Sequence, residues 1–192
     1  MQQSNLPGFD PPAREVHNLF FALWPDESTR QRIAHAAAGL QREQNPYGRW
    51  IKPARYHLTL QFLGEHASLQ PKLIDRASAA AAQVRAAPFD LVLDSIGSFV
   101  NARIPCWLGC SEVPTGLQIL FDALSETLRS NGCRITRATR LVPHVTILRD
   151  ADRQVHAHLE SAVRWRVDEF VLIDSQIQPF MPHRILGRWP LL

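Results

Sequence analysis

Cysteine is scarce in this chain, with three in 192 residues. An odd number without a paired framework argues against a disulfide-stapled scaffold and for a reducing compartment. Cys106 and Cys110 lie in a strand-like stretch, where four residues of rise hold them roughly 13 Å apart, too far for a bond; buried free thiols are expected at both. Long apolar runs are also missing. None approaches the roughly 20 residues of a membrane span, and the polar, proline-rich Met1–Arg14 lacks the basic start and apolar stretch of a signal peptide. A cytoplasmic protein that does not enter the membrane is expected, with a flexible tail over residues 1–17. No glycine-rich phosphate loop and no Gly-x-Ser-x-Gly elbow is present. Strong charge of one sign is absent as well. The 21 Lys and Arg against 18 Asp and Glu leave +3 and a pI near 9.1, which permits an anionic ligand but is far from the density of a protein that coats duplex DNA.

What is present is one globular unit's worth of chain, 45% hydrophobic, long enough for a substantial core or two fused lobes. Asn18–Trp24 reads as a buried strand, and Asp26 after Pro25 offers a helix cap. The helix should run to about Gln44 with Ile33, Ala37 and Leu40 inward. After the Asn45–Gly48 turn, an extended Arg49–Lys52 leads into a strand from His57 to Leu63 that Gly64 ends. Ser68 can cap a second helix through Leu69, Leu73, Ala77, Ala80 and Val84, closed by Pro88. Strands follow at Phe89–Phe99 and Ile104–Cys110. Thr115 with Gln118 reads as a capping box for a third helix through Leu117, Leu120, Leu124 and Leu128, with Gly132 as its exit. A strand over His144–Leu148, a fourth helix over Asp152–Val163 and closing strands at Phe170–Ile177 and Arg184–Trp189 complete the order. Adjacent strands between helices exclude a purely alternating parallel fold and predict an α+β architecture with antiparallel or mixed sheets.

One phrase occurs twice: His57-Leu58-Thr59-Leu60 and His144-Val145-Thr146-Ile147. Side chains at i and i+2 of a strand leave the same face, so two such strands could present two imidazoles and two hydroxyls to one cleft. Histidine can take or give a proton near neutral pH. Two of them across a phosphorus could divide that work, while the threonine hydroxyls donate to the non-bridging oxygens on which charge accumulates. His66-Ala67-Ser68 shows that a His-x-Ser/Thr match also arises by accident among eight histidines. The two threonine copies differ from it, each followed by an aliphatic residue in a strand behind a proline.

Arg149 follows His144 by five residues and Phe62 follows His57 by the same offset, which suggests two arms flanking one ligand. A ring and a guanidinium can sandwich a nucleobase, although an offset of five falls on the opposite strand face unless the chain bends, and phenylalanine in a strand is usually core. Arg49, Lys52, Arg55, Arg134, Arg137 and Arg140 precede one motif or the other and could border the same cleft. His156-Ala157-His158 lacks clustered partner ligands and reads as solvated surface rather than a metal site. His17, His35 and His183 stand alone, with no specific role expected.

These motifs resemble the 2H phosphoesterase superfamily. The whole chain from about Asn18 is similar to its bacterial RNA 2′,3′-cyclic phosphodiesterase branch, historically 2′-5′ RNA ligases. The phrases that carry the likeness are Leu19–Pro25, His57–Glu65, Pro143–Asp150 and the closing Arg188-Trp189-Pro190-Leu191. The resemblance implies a bilobal fold over residues 18–192, with two pseudo-symmetric lobes around a central cleft. It also implies metal-free hydrolysis of RNA-terminal 2′,3′-cyclic phosphate to a 2′-phosphate, with no cofactor and with RNA ends or cyclic nucleotides as ligands of a monomer. By the same likeness His57 and His144 are the catalytic pair, Thr59, Thr146 and Arg149 hold the phosphate, and Phe62 lies near the base. His144 is assigned as general acid and His57 as general base. The chain departs from its relatives at Leu141-Val142, where an aromatic or arginine is common, and at His183, where an aromatic is common. Ligation through a 2′-5′ bond, the same step reversed, and non-catalytic binding of RNA ends are the alternatives.

Overall fold

A computed structural model describes residues 15–100, 102–135 and 141–192. The expected tail therefore falls outside the described residues except for its last three, and Val16 already opens the first strand, β1 (Val16–Leu23). The helix α1 (Glu27–Glu43) begins where expected: the Asp26 carboxylate accepts from the Thr29 N–H at 2.6 Å, and Ile33, Ala37 and Leu40 are buried one turn apart. A two-residue strand β2 (Arg49–Trp50) and a 3₁₀ turn (Pro53–Arg55) lead into β3 (Leu58–His66). Gly64 does not end β3; it continues two residues further.

Then follow α2 (Pro71–Ala81), β4 (Phe89–Ser98), β5 (Ile104–Gly109), α3 (Thr115–Ser130), β6 (His144–Ala151), β7 (Ala157–Val167), β8 (Glu169–Gln178) and β9 (Arg184–Pro190). Two of the expected caps are not made. Proline at the first position starts α2 at Pro71, past Ser68, with Gln70 as N-cap, and the helix ends at Ala81, well before Pro88. Pro114 occupies the N-cap of α3, so Thr115 is already helical and Gln118 bonds Asp122 instead.

In place of the expected helix over Asp152–Val163, irregular backbone leads into β7 from Ala157. In β7, Val163, Trp165 and Val167 are buried in alternation with exposed arginines, a period of two that outweighs the thin helical pattern upstream. His156 and His158 are exposed all the same, in or beside this strand.

All strand pairs are antiparallel and form a single sheet in the order β7-β4-β5-β6-β3-β1-β8-β9, with β2 paired to β6 on the edge that also meets β3. Each half has four strands. One draws on both ends of the described chain (β3, β1, β8, β9) and the other on its middle (β7, β4, β5, β6). They meet at one residue pair, Leu58 opposite Val145. These residues follow the two histidines at the same offset, since 144 − 57 and 145 − 58 are both 87, so the pair lies on the pseudo-twofold that relates the motifs. A large core cluster draws on both halves and on all three helices, while Phe20, Ala22, Val171 and Ile173 form a smaller one on the other face of β1 and β8. Cys106 and Cys133 are buried free thiols and Cys110 is half-buried, its thiol pushed up to about 11 mainly by desolvation.

Candidate active site

The alternation of β3 carries Thr59 to the same face as His57, and β6 does the same for His144 and Thr146. All four are half-buried at the seam between the halves. Each imidazole is locked in the same way. The His57 Nδ1–H donates to the Arg55 carbonyl at 2.8 Å and the His144 Nδ1–H to the Val142 carbonyl at 2.7 Å. A carbonyl only accepts, so the proton sits on Nδ1 in both neutral rings and each Nε2 keeps its lone pair. Each ring also rests on a phenylalanine, His57 on Phe20 at 5.0 Å between centroids and His144 on Phe99 at 4.9 Å.

The placement of Phe62 and Arg149 depends on a paired irregularity. Thr59 faces Ala22 and Gln61 faces Phe21, which leaves Leu60 as an extra residue; Thr146 faces Trp107 and Leu148 faces Cys106, which leaves Ile147 as its counterpart. A bulge shifts the alternation by one. Leu60 and Gln61 are therefore both buried, as are Ile147 and Leu148, and Phe62 and Arg149 turn out to the cleft. The sequence offset of five reaches the motif face because both strands bend at the same place.

The cleft has two chambers. The larger, about 470 Å³, is lined by His57, Thr59, Phe62, Thr146 and Arg149 together with Asn18, Phe20, Arg49, Arg55 and His183. The smaller, about 290 Å³, contains His144, Phe99 and Arg103, and shares Arg49, Thr146 and Arg149 with the first. Every expected site residue thus lines one chamber or both. Of the six basic residues before the motifs, Arg49 and Arg55 reach the cleft, Lys52 and Arg134 are exposed elsewhere, and Arg137 and Arg140 lie outside the described residues.

Arg49 stands directly opposite Arg149 in the β2–β6 pairing. Gly48 allows it, because a Cβ there would come within 2.8 Å of the Arg149 carbonyl. Arg49 pairs with Asp150 at 3.7 Å, and Arg149, lowered in part by the charge of Arg49, stands on the cleft wall beside it, so the two guanidinium groups favour an anion there.

Burial and cations act together on the imidazoles. Desolvation is the main cause that brings His57 down to about 4. The Arg55 carbonyl opposes it, and Arg149, Arg55 and His144 add to the fall. Desolvation lowers His144 as well, against the pull of the Val142 carbonyl. Arg149 and Arg55 are each lowered, first by desolvation and then by other arginines.

Several cleft residues carried no motif signal. The Arg55 side chain donates to the Met181 carbonyl at 3.0 Å and to Ser175 Oγ at 3.3 Å, and lies 4.4 Å over the Phe180 ring, so it ties the β8–β9 connection to the cleft floor. His183, expected to have no role, packs its ring 5.2 Å from that of His57. His17 is likewise not idle. It is buried, with its ring bonded to Asp174 at 2.8 Å and to Glu15 at 3.3 Å. Strand parity extended from Ala22 would have found Phe20 and Asn18; the residues of the β8–β9 connection follow no periodicity.

A family model described as the 2′-5′ RNA ligase superfamily matches residues 18–177. The chain is 33% identical to the RNA 2′,3′-cyclic phosphodiesterase of Escherichia coli K12 over 141 residues, 73% of this chain and 76% of that protein. It is 28% identical to the protein of the same name from Thermus thermophilus over 183 residues, 90% of this chain and 89% of that one. Among solved structures it superposes on E. coli LigT complexed with 3′-AMP with a TM-score of 0.77 at 31% identity, covering 92% of this chain and 99% of that one. With the fold, the paired motifs and a model spanning most of its length in agreement, the chain belongs to the 2′-5′ RNA ligase superfamily.

Proposed function

We propose that this chain hydrolyses RNA-terminal 2′,3′-cyclic phosphates to 2′-phosphates, without a metal, with His57 as general base and His144 as general acid. The observation that carries the reading is the pair of carbonyl-locked imidazoles, each with Nε2 as its free nitrogen, at a cleft in which Thr59, Thr146 and Arg149 converge. In the reaction His57 Nε2 takes a proton from a water whose oxygen attacks phosphorus in line. The P–O3′ bond breaks, and His144 Nε2–H delivers its proton to O3′, leaving a 2′-phosphate and a free 3′-hydroxyl. The threonine hydroxyls and Arg149 meet the charge that builds on the non-bridging oxygens.

The electrostatics support this division of roles. At about 4, the His57 imidazole is neutral at pH 7 and has its lone pair ready. His144 is lowered by burial, with the Val142 carbonyl opposing the fall, and a bound phosphate's negative charge can raise it into range for an acid. Phe62, on the arm opposite the one that carries Arg149, stacks on the terminal nucleobase. Proteins named RNA 2′,3′-cyclic phosphodiesterase among its relatives, and LigT structures complexed with 3′-AMP and with phosphate, support this substrate class. Ligation of RNA through a 2′-5′ bond is the same step run backwards and uses the same residues.

The test is incubation of cyclic-phosphate-ended RNA with the protein in excess EDTA, with identification of the product. Turnover to the 2′-phosphate is expected. No turnover, or turnover that EDTA abolishes, contradicts the reading, and salt-dependent RNA binding without turnover would favour a non-catalytic binder.

A further inference from the structure

A third imidazole stands in the cleft and takes no part in the proton transfers. His183 precedes β9, and its ring is boxed in by aromatic neighbours: His57 at 5.2 Å and 88°, Phe20 at 6.0 Å and 85°, and Trp24 at 6.0 Å and 76°. Its Nδ1 is sealed from solvent without a hydrogen-bond partner among the described residues, while the side chain forms part of the wall of the larger chamber. A neutral imidazole carries one N–H. On Nδ1 that hydrogen would be a buried, unpaired donor, at the full cost of desolvation. On Nε2 it reaches the open side of the ring. Nδ1 is unpaired in either tautomer; the Nε2–H tautomer, opposite to the one that the backbone carbonyls impose on His57 and His144, is the one that leaves a donor where a ligand can reach it.

The ring also stays neutral. Burial first, and then the charges of His57, Arg55 and Arg149, push its pKa down to about 3. An imidazole that cannot gain a second proton near neutral pH neither serves as an acid nor repels a protonated His57. What it offers is a fixed, uncharged N–H beside the proposed base, in a chamber where Thr59 and Arg149 also point donors. Donors already aimed at their acceptor need no reorganisation when substrate arrives.

We propose that His183 is a substrate-binding residue, which donates its Nε2–H to an acceptor oxygen of the terminal ribose-phosphate and holds that group against His57. The proposal rests on the phosphodiesterase reading for the identity of the ligand. Its test is a binding measurement, so loss of turnover in the wild-type protein would sink that reading alone.

Dissociation constants for inorganic phosphate and for adenosine 2′-monophosphate are measured by calorimetry on the wild type, His183→Phe and His183→Gln. Phenylalanine keeps the aromatic box and removes the nitrogen; glutamine returns a donor at similar reach. His183→Phe should bind at least one probe about tenfold more weakly, as the loss of one hydrogen bond to a charged or polar oxygen implies, and His183→Gln should recover part of that loss. Weakening with both probes places the contact on phosphate, and weakening with the nucleotide alone places it on ribose. Binding of both probes by His183→Phe within about twofold of wild type overturns the proposal, as does wild-type protein that binds neither. A second measurement needs no substitution: nitrogen-15 spectra of histidine-labelled wild type should show the Nε2–H tautomer for His183, with that N–H shifting on addition of adenosine 2′-monophosphate. The Nδ1–H tautomer would overturn the proposal equally.

Discussion

A histidine tied through Nδ1 to a carbonyl two residues upstream can offer a substrate only its other nitrogen, and both His57 and His144 are held in that way. The His-x-Thr spacing was readable because it depends on strand parity alone. Phe62 and Arg149 were harder to place, since an offset of five reaches the motif face only through the extra residues Leu60 and Ile147, and nothing in those two aliphatic side chains announces a bulge. Phe62 is 40% exposed, which fits a ring kept free for a base. Stacking contributes roughly 1 to 3 kcal/mol per base. Phe62→Ala should therefore raise KM for adenosine-ended cyclic-phosphate RNA about fivefold or more, and leave an abasic cyclic-phosphate end unaffected; steady-state kinetics on the two substrates checks this. His183 escaped notice for a different reason, and Arg55, readable as one of several basic residues beside the cleft, gave no sign of what it ties down. Their partners lie 126 residues apart in sequence, as between Arg55 and Met181, in a connection without period.

At the level of elements, the strands with strong alternation were legible and the junctions were not. The reading of Asp152–Val163 as a helix failed because the buried Val163, Trp165 and Val167 fall at its end and beyond it, so the decisive period-two signal lay mostly outside the segment. Ser68 and Thr115 were plausible caps, but Pro71 and Pro114 fixed the helix starts instead. The strand pair β4–β5 has a direct bearing on the site. A Cβ at Gly97 would come within 2.4 Å of the Trp107 ring, and that ring packs against Phe99 and, at 6.3 Å between centroids, His144. Gly97→Ala should thus cost about 1 to 3 kcal/mol of stability through overpacking, read by urea denaturation, and also slow turnover by disturbing the seat of His144. An alanine variant as stable and active as wild type would show that the indole moves freely.

Over the whole molecule, the family resemblance implied two pseudo-symmetric lobes. It did not foretell that β8 and β9 would join β1 and β3, so that one half is assembled from both ends of the described chain. That closure buries a histidine with the opposite electrostatics to those of the cleft. Burial alone would lower His17, but its bonds to Asp174 and Glu15 outweigh it and the net shift is upward. A raised histidine adds stability that is complete below about 6.5 and fades as pH rises through its folded value. His57, His144 and His183 are lowered, so their contribution is complete above about 6.5 and fades as pH falls. Urea unfolding across this range should show losses on both flanks, with His17→Gln flattening the alkaline flank and His183→Phe the acid one. The division of labour proposed for His57 and His144 is tested most directly by a substrate whose 3′-oxygen is replaced by sulfur, because a thiolate leaves without being protonated. With ordinary cyclic phosphate, His57→Ala and His144→Ala should each lose roughly 10² to 10⁴-fold in rate. With the 3′-thio substrate, His144→Ala should recover to near the wild-type rate while His57→Ala stays slow; equal slowness of both variants, or recovery of His57→Ala instead, would contradict the account.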